Sequence, residues 1–202
     1  MTKFNEWCDE TEEKVNGHVL TVLSADEDWH GTGVDLVSKV VPQNYVSNAR
    51  YAHLLNLLGK PATAKSLQNK MPVGKKGRSG DLGEILAITY VEENTIWDQV
   101  VTRLRWSDHR EMPMRGDDLI AMGVDSNGVM QILKGEVKSR AKLATKPITD
   151  AREALLKDNE RPTPHALSFI SDRLYEEGRT DISGPVTALC RSFNRVLCAK
   201  GE

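Results

Sequence analysis

Asp118-Leu-Ile-Ala-Met-Gly-Val124, Asp125-Ser-Asn-Gly128 and Val129-Met-Gln-Ile-Leu-Lys-Gly-Glu-Val137 read as two apolar strands joined by a turn. Asp at the first turn position and Gly at the fourth suit a type I turn closed by a left-handed glycine, which leaves a three-residue loop. Asp125 then lies opposite Val129, and counting back sets Asp118 opposite Glu136. A two-residue Asn-Gly loop would slip the register by one and give Asp117 the face of Glu136 and Lys138 instead. The first register is favoured, with Asp117 kept as the substitute.

Around this hairpin the chain reads as helices. Tyr51, Leu54, Leu55 and Leu58 fall at helical spacing, and Val186, Leu189, Cys190, Phe193, Val196 and Leu197 repeat the pattern near the C-terminus. Thr149 is suited to cap a helix through Lys157, and residues 165–177 form another. His18–Leu23 is strand-like, and Trp97–Trp106 alternates well enough to be a further strand. Gly74, Gly77, Gly80 and Gly83 among lysines suggest a loop that ends where Asp81 caps the next helix. That loop is the expected boundary between a mostly helical N-terminal region, residues 1–72, and a core with C-terminal helices, residues 73–202. The expected class is α/β in the broad sense (α+β), a sheet with helices packed on it.

Composition narrows the function. Over 202 residues, 39% are hydrophobic and 28% charged, the mixture of an ordinary globular protein. No apolar run approaches the ~20 residues of a membrane helix, and the first residues lack the basic and apolar regions of a signal peptide, so a cytoplasmic protein is expected. A net charge of −2 offers no global pull toward nucleic acid, so contact with DNA would have to come from local clusters. Lys70, Lys75, Lys76 and Arg78 form one, Arg103, Arg105, Arg110 and Arg115 a second, and Lys134, Lys138, Arg140, Lys142 and Lys146 a third. Cys8, Cys190 and Cys198 match no zinc or redox spacing, and the five histidines (18, 30, 53, 109 and 165) share no ligand spacing either. Trp97 and Trp106 fit core or interface positions better than base-stacking platforms.

The chemistry gathers at the open end of the hairpin. Strand alternation puts Glu136 and Lys138 on one face with Val137 behind them. Two carboxylates and an amine there supply oxygen ligands for a hard cation and a positive charge for a phosphate. Paired acids at the mouth of a buried strand are costly unless they bind something positive. Glu84 is the further candidate ligand, set evenly against a capping-box reading of Asp81-Leu-Gly-Glu84.

Taken together, Gly80-x-x-Gly83-Glu84, Arg115-Gly-Asp-Asp118 and Gly135-Glu-Val-Lys-Ser139 resemble the PD-(D/E)xK nucleases. More narrowly they are similar to the HamA family, effector subunits of Hachiman anti-phage defence. The resemblance spans roughly residues 77–156. It implies a restriction-endonuclease-like core with a central mixed sheet, and DNA as substrate. It implies Asp118, Glu136 and Glu84 as ligands of Mg²⁺, with Mn²⁺ as a substitute, and Lys138 as the group that orients water or neutralises phosphate. It also implies a superfamily 2 helicase as partner. The alternative is a catalytically silent subunit that keeps the fold to dock a helicase or DNA.

Overall fold

The computed structural model describes residues 3–107, 109–112, 116–142 and 144–198. It begins with an antiparallel ribbon, β1 (Cys8–Val15) and β2 (His18–Ala25), in full register from Cys8 opposite Ala25 to Val15 opposite His18. Asn16 and Gly17 turn it, both at positive φ (51° and 83°), as a two-residue hairpin loop requires. The sequence reading caught only the second strand, because Asp9, Glu10, Glu12 and Glu13 give β1 no apolar alternation. Helices α1 (His30–Tyr45) and α2 (Asn48–Gln68) follow. Ser47 caps α2 by accepting the Arg50 N–H.

Helix α3 (Lys75–Asn94) corrects the next expectation: it starts after Gly74, and Asp81 lies inside it rather than at its cap. Gly77, Gly80 and Gly83 are helical. Two of them serve close approach, since a Cβ at Gly77 would stand 2.8 Å from Pro72 and one at Gly83 3.2 Å from Val137. The strand expected over Trp97–Trp106 is also absent. Asp98 makes an isolated bridge to Met122 through paired 2.9 Å bonds, and Arg103–Trp106 coils into a 3-10 turn. The turn is held by guanidinium groups on carbonyls: Arg103 donates to Asp117 O, and Arg105 to Gln43 O at 3.0 and 2.9 Å.

The hairpin itself forms as read. Strands β3 (Leu119–Val124) and β4 (Met130–Gly135) pair antiparallel from Val124 opposite Met130 to Leu119 opposite Gly135. Gly128 sits at φ 78° and donates to Asp125 O, while the Asp125 carboxylate accepts the N–H groups of Asn127 and Val129 at 2.9 Å. This is the three-residue loop. The described residues contain two separate two-stranded antiparallel sheets, not the expected mixed central sheet. Beyond them come α4 (Thr145–Leu156), α5 (Pro164–Glu176) and α6 (Thr180–Cys198). Thr149 lies within α4 rather than capping it, whereas Thr163 does cap α5, accepting the Ala166 N–H. Cys8 and Cys190 are free thiols. The side chains from residue 191 onward, those of Phe193, Val196, Leu197 and Cys198 among them, lie outside the described residues.

Strand β3 is buried on both faces, which makes it the centre of an α+β layer arrangement. Ile120 and Met122 join Leu167, Ile170 and Leu174 of α5 and Val186 of α6. Leu119 and Ala121 pack against Ile88 of α3. A third cluster ties Tyr45, Val46 and Leu54 to Ile85, so α3 also carries the N-terminal helices.

Candidate active site

Regular pairing stops at Leu119 opposite Gly135, one step before Asp118 and Glu136 would face each other. There the two aspartates part. Asp117 is 6% exposed; its carboxylate accepts the Thr163 N–H at 2.7 Å and meets Lys134 Nζ at 3.4 Å. Lys134 also donates to the carbonyls of Lys157 and Arg161, so one buried pair ties β3, β4 and the segment before α5 together. Asp118 turns instead to the other chain segment and accepts the Val137 N–H at 3.0 Å. Glu136 is paired with the Lys138 ammonium, which puts both side chains of the Glu-x-Lys motif on one side.

Helix α3 closes the site from below. Ser79 Oγ and Ser139 Oγ share a 2.7 Å hydrogen bond, and Gly83 lets the helix backbone come against Val137 and Ser139. Glu84, the next residue, faces the acids. Its partner is Arg103, whose Nη2 lies 3.8 Å from Oε2. The capping-box reading of Glu84 fails, because the helix starts well before it and the Asp81 carboxylate accepts Tyr45 Oη at 2.6 Å.

In comparison with known proteins, a family model described as HamA matches residues 2–195, nearly the whole chain. The chain belongs to the HamA family. A curated relative, the Hachiman protein HamA of Bacillus cereus, is 31% identical over 111 residues. The match takes in 55% of this chain and spans 38% of that relative.

In this member of the HamA family, electrostatics join the three acids. Burial pushes the Glu84 carboxyl up from 4.5 to about 7; Arg103 opposes the rise, and the charges of Asp118, Asp81 and Glu136 add to it. A buried acid pushed up further by three neighbouring acids is a group short of positive charge. Among the described residues, however, no three acid, histidine or cysteine side chains stand ready to hold a metal as they are. Lys138 on Glu136 and Arg103 on Glu84 take up part of the negative charge in their place.

The basic clusters divide by duty. Lys70, Arg103, Arg105 and Lys134 are spent on backbone carbonyls and buried acids. Lys146 pairs with Asp150 and Arg110 with Glu111. Lys75, Lys76 and Arg78 stand exposed on the first turns of α3. Arg115 lies outside the described residues. Sequence reasoning missed the role of Arg103, whose guanidinium touches both Glu84 and the Asp117 carbonyl; the signal was only an arginine in an apparent strand.

Proposed function

We propose that this chain is a Mg²⁺-dependent DNA endonuclease with a PD-(D/E)xK-type core, acting as the effector of an anti-phage defence complex with a superfamily 2 helicase. The observation that carries the reading is the geometry at the end of the hairpin: Asp118 bonded to the Val137 N–H between Glu136 and Lys138, the Glu136–Lys138 pair, and Gly83 of α3 packed on Val137 with Glu84 next to it. The donor set suits a hard cation, being all carboxylate oxygen, and the raised Glu84 carboxyl marks a place where added positive charge is stabilising. Asp118, Glu136 and Glu84 would hold Mg²⁺, or Mn²⁺ in its place. When bound, the cation supplies charge for the phosphate and a more acidic water.

The protein's own groups do the rest. Glu136 would be one of the residues that hold the cation, and the Lys138 ammonium beside it would offset charge developing on the scissile phosphate. Lys75, Lys76 and Arg78 lie on the helix that carries Glu84, so a DNA backbone along that face meets phosphate-binding charge before it meets the acids. Contacts of this kind position the strand without selecting sequence. The defence role is carried over from the family and from the name of the Bacillus cereus relative, and the helicase partner from the family resemblance of the sequence motifs.

A second reading, a silent docking subunit, draws on the Lys138–Glu136 pair and on the lack of a ready three-acid group among the described residues. Replacing Glu136 and Lys138 together with alanine separates the two. Loss of Mg²⁺-dependent cleavage with partner binding intact supports the nuclease. A wild-type chain that never cuts, with its partner present and stimulated, supports the silent subunit.

A further inference from the structure

A cavity of about 690 Å³ opens between the 3-10 turn at Arg103–Trp106 and helix α5. That volume is in the range of small-ligand sites. Its floor is core: Val101, Ile120, Ala166 and Ile170. Its walls carry Trp106, Phe169 and Arg173, with exposed His109 and His165 at the lip. The Arg173 guanidinium lies 4.5 Å from the centre of the Trp106 ring and 5.6 Å from that of Phe169. Its Nη1 pairs with Glu176, but its Nε is buried with no hydrogen-bond partner among the described residues. A buried donor without an acceptor is costly, so the site is one acceptor short. His109 Nδ1 accepts the Glu111 N–H, which leaves Nε2 as the donor of its neutral ring.

An apolar floor, aromatic walls and donors at the rim are the composition that takes a flat ring with an anionic tail. The cavity also shares a wall with the acid cluster. Asp117 lines it one residue before Asp118, and Arg103 lines it while touching Glu84. Trp106, which the sequence pattern sets at core or interface, is 36% exposed on this wall.

We propose that the cavity receives one unpaired nucleotide of the DNA strand that runs past Glu84, Asp118 and Glu136. This deepens the nuclease reading and rests on it for the identity of the polymer. The ring stacks among Trp106 and Phe169, and the tail meets Arg173, His109 and His165. A paired base cannot enter such a pocket without leaving its stack, so the site favours single strands or bases that open easily.

The test uses the full chain in EDTA, where no metal-dependent cleavage can occur. Binding of a labelled single strand carrying 5-iododeoxyuridine is compared with the same strand annealed to its complement, and the irradiated complex is mapped by mass spectrometry. The single strand is expected to bind more tightly and to cross-link at Trp106 or Phe169. Trp106→Leu is expected to weaken it about tenfold, the scale of one lost base stack, and His165→Ala to weaken it through the lost tail contact, while His53→Ala, exposed on α2, leaves it unchanged. Equal binding of strand and duplex, cross-links elsewhere, or no binding of any strand overturns the assignment. If the strand binds and cross-links as expected but the chain with its partner never cuts in Mg²⁺, only the nuclease reading fails.

Discussion

Asp117 and Asp118 are chain neighbours with different partners, and on the proposed nuclease reading their substitution should separate fold from chemistry. Asp117→Ala would leave Lys134, whose side chain is 6% exposed, without its acid. Breaking a buried pair from one side costs on the order of 3–5 kcal/mol, which urea unfolding would read directly. Asp118→Asn loses little more than the quality of one hydrogen bond from Val137, about 1 kcal/mol, but should abolish cleavage. Equal destabilisation by the two changes would refute this division. Glu84 adds a pH signature to the metal-free protein. Its carboxyl rises from 4.5 to about 7 on folding, so the folded state binds the extra proton. Stability is therefore fullest below about pH 4.5 and declines as pH climbs to about 7, by on the order of 3 kcal/mol at ~1.4 kcal/mol for each pH unit. Glu84→Gln should flatten that part of the curve; an unchanged slope would mean that another group titrates there.

At the scale of elements, α3 makes its glycines informative. A methyl group added at Gly80 would meet nothing within 4 Å, and the residue sits inside a helix, so Gly80→Ala should stabilise the protein by about 0.5–1 kcal/mol. Gly83→Val should do the reverse, costing about 1–3 kcal/mol by driving α3 off Val137 and Ser139 and lowering activity with it. Thermal melts of the pair, with cleavage assays on both, check the contrast. These glycines also explain where the sequence misled. Their spacing resembles a loop, because local propensity carries no trace of a distant strand that needs room. The β3–β4 hairpin was readable because Asp125 and Gly128 specify the turn chemically and the turn specifies the register. From that register the sequence reading sets Asp118 opposite Glu136 with Lys138 alongside; regular pairing ends one step short of them, at Leu119 opposite Gly135. The stretch from Trp97 to Trp106 alternated like a strand, but its pattern came from Val101 and Leu104 entering different core clusters while Arg103 and Arg105 reached for carbonyls. The cavity was illegible, since His109 and His165 share no spacing and meet only through the tertiary fold.

Across the whole molecule, apolar burial centres on β3 and thins toward the N-terminus. The β1–β2 ribbon has almost every side chain exposed, including Val15, Val19, Leu20 and Val22. It is anchored at its base, where Phe4 packs on Trp7 and Tyr90 and the N–H groups of Lys3 and Phe4 reach Glu93. Its free edges offer unpaired backbone groups to any other strand. Asp9, Glu10, Glu12 and Glu13 guard the β1 edge between copies: two β1 strands set side by side bring acid against acid. Changing all four to the neutral amides should let the protein self-associate as concentration rises, visible by light scattering, and added salt should push the unaltered chain the same way by shortening the reach of that repulsion.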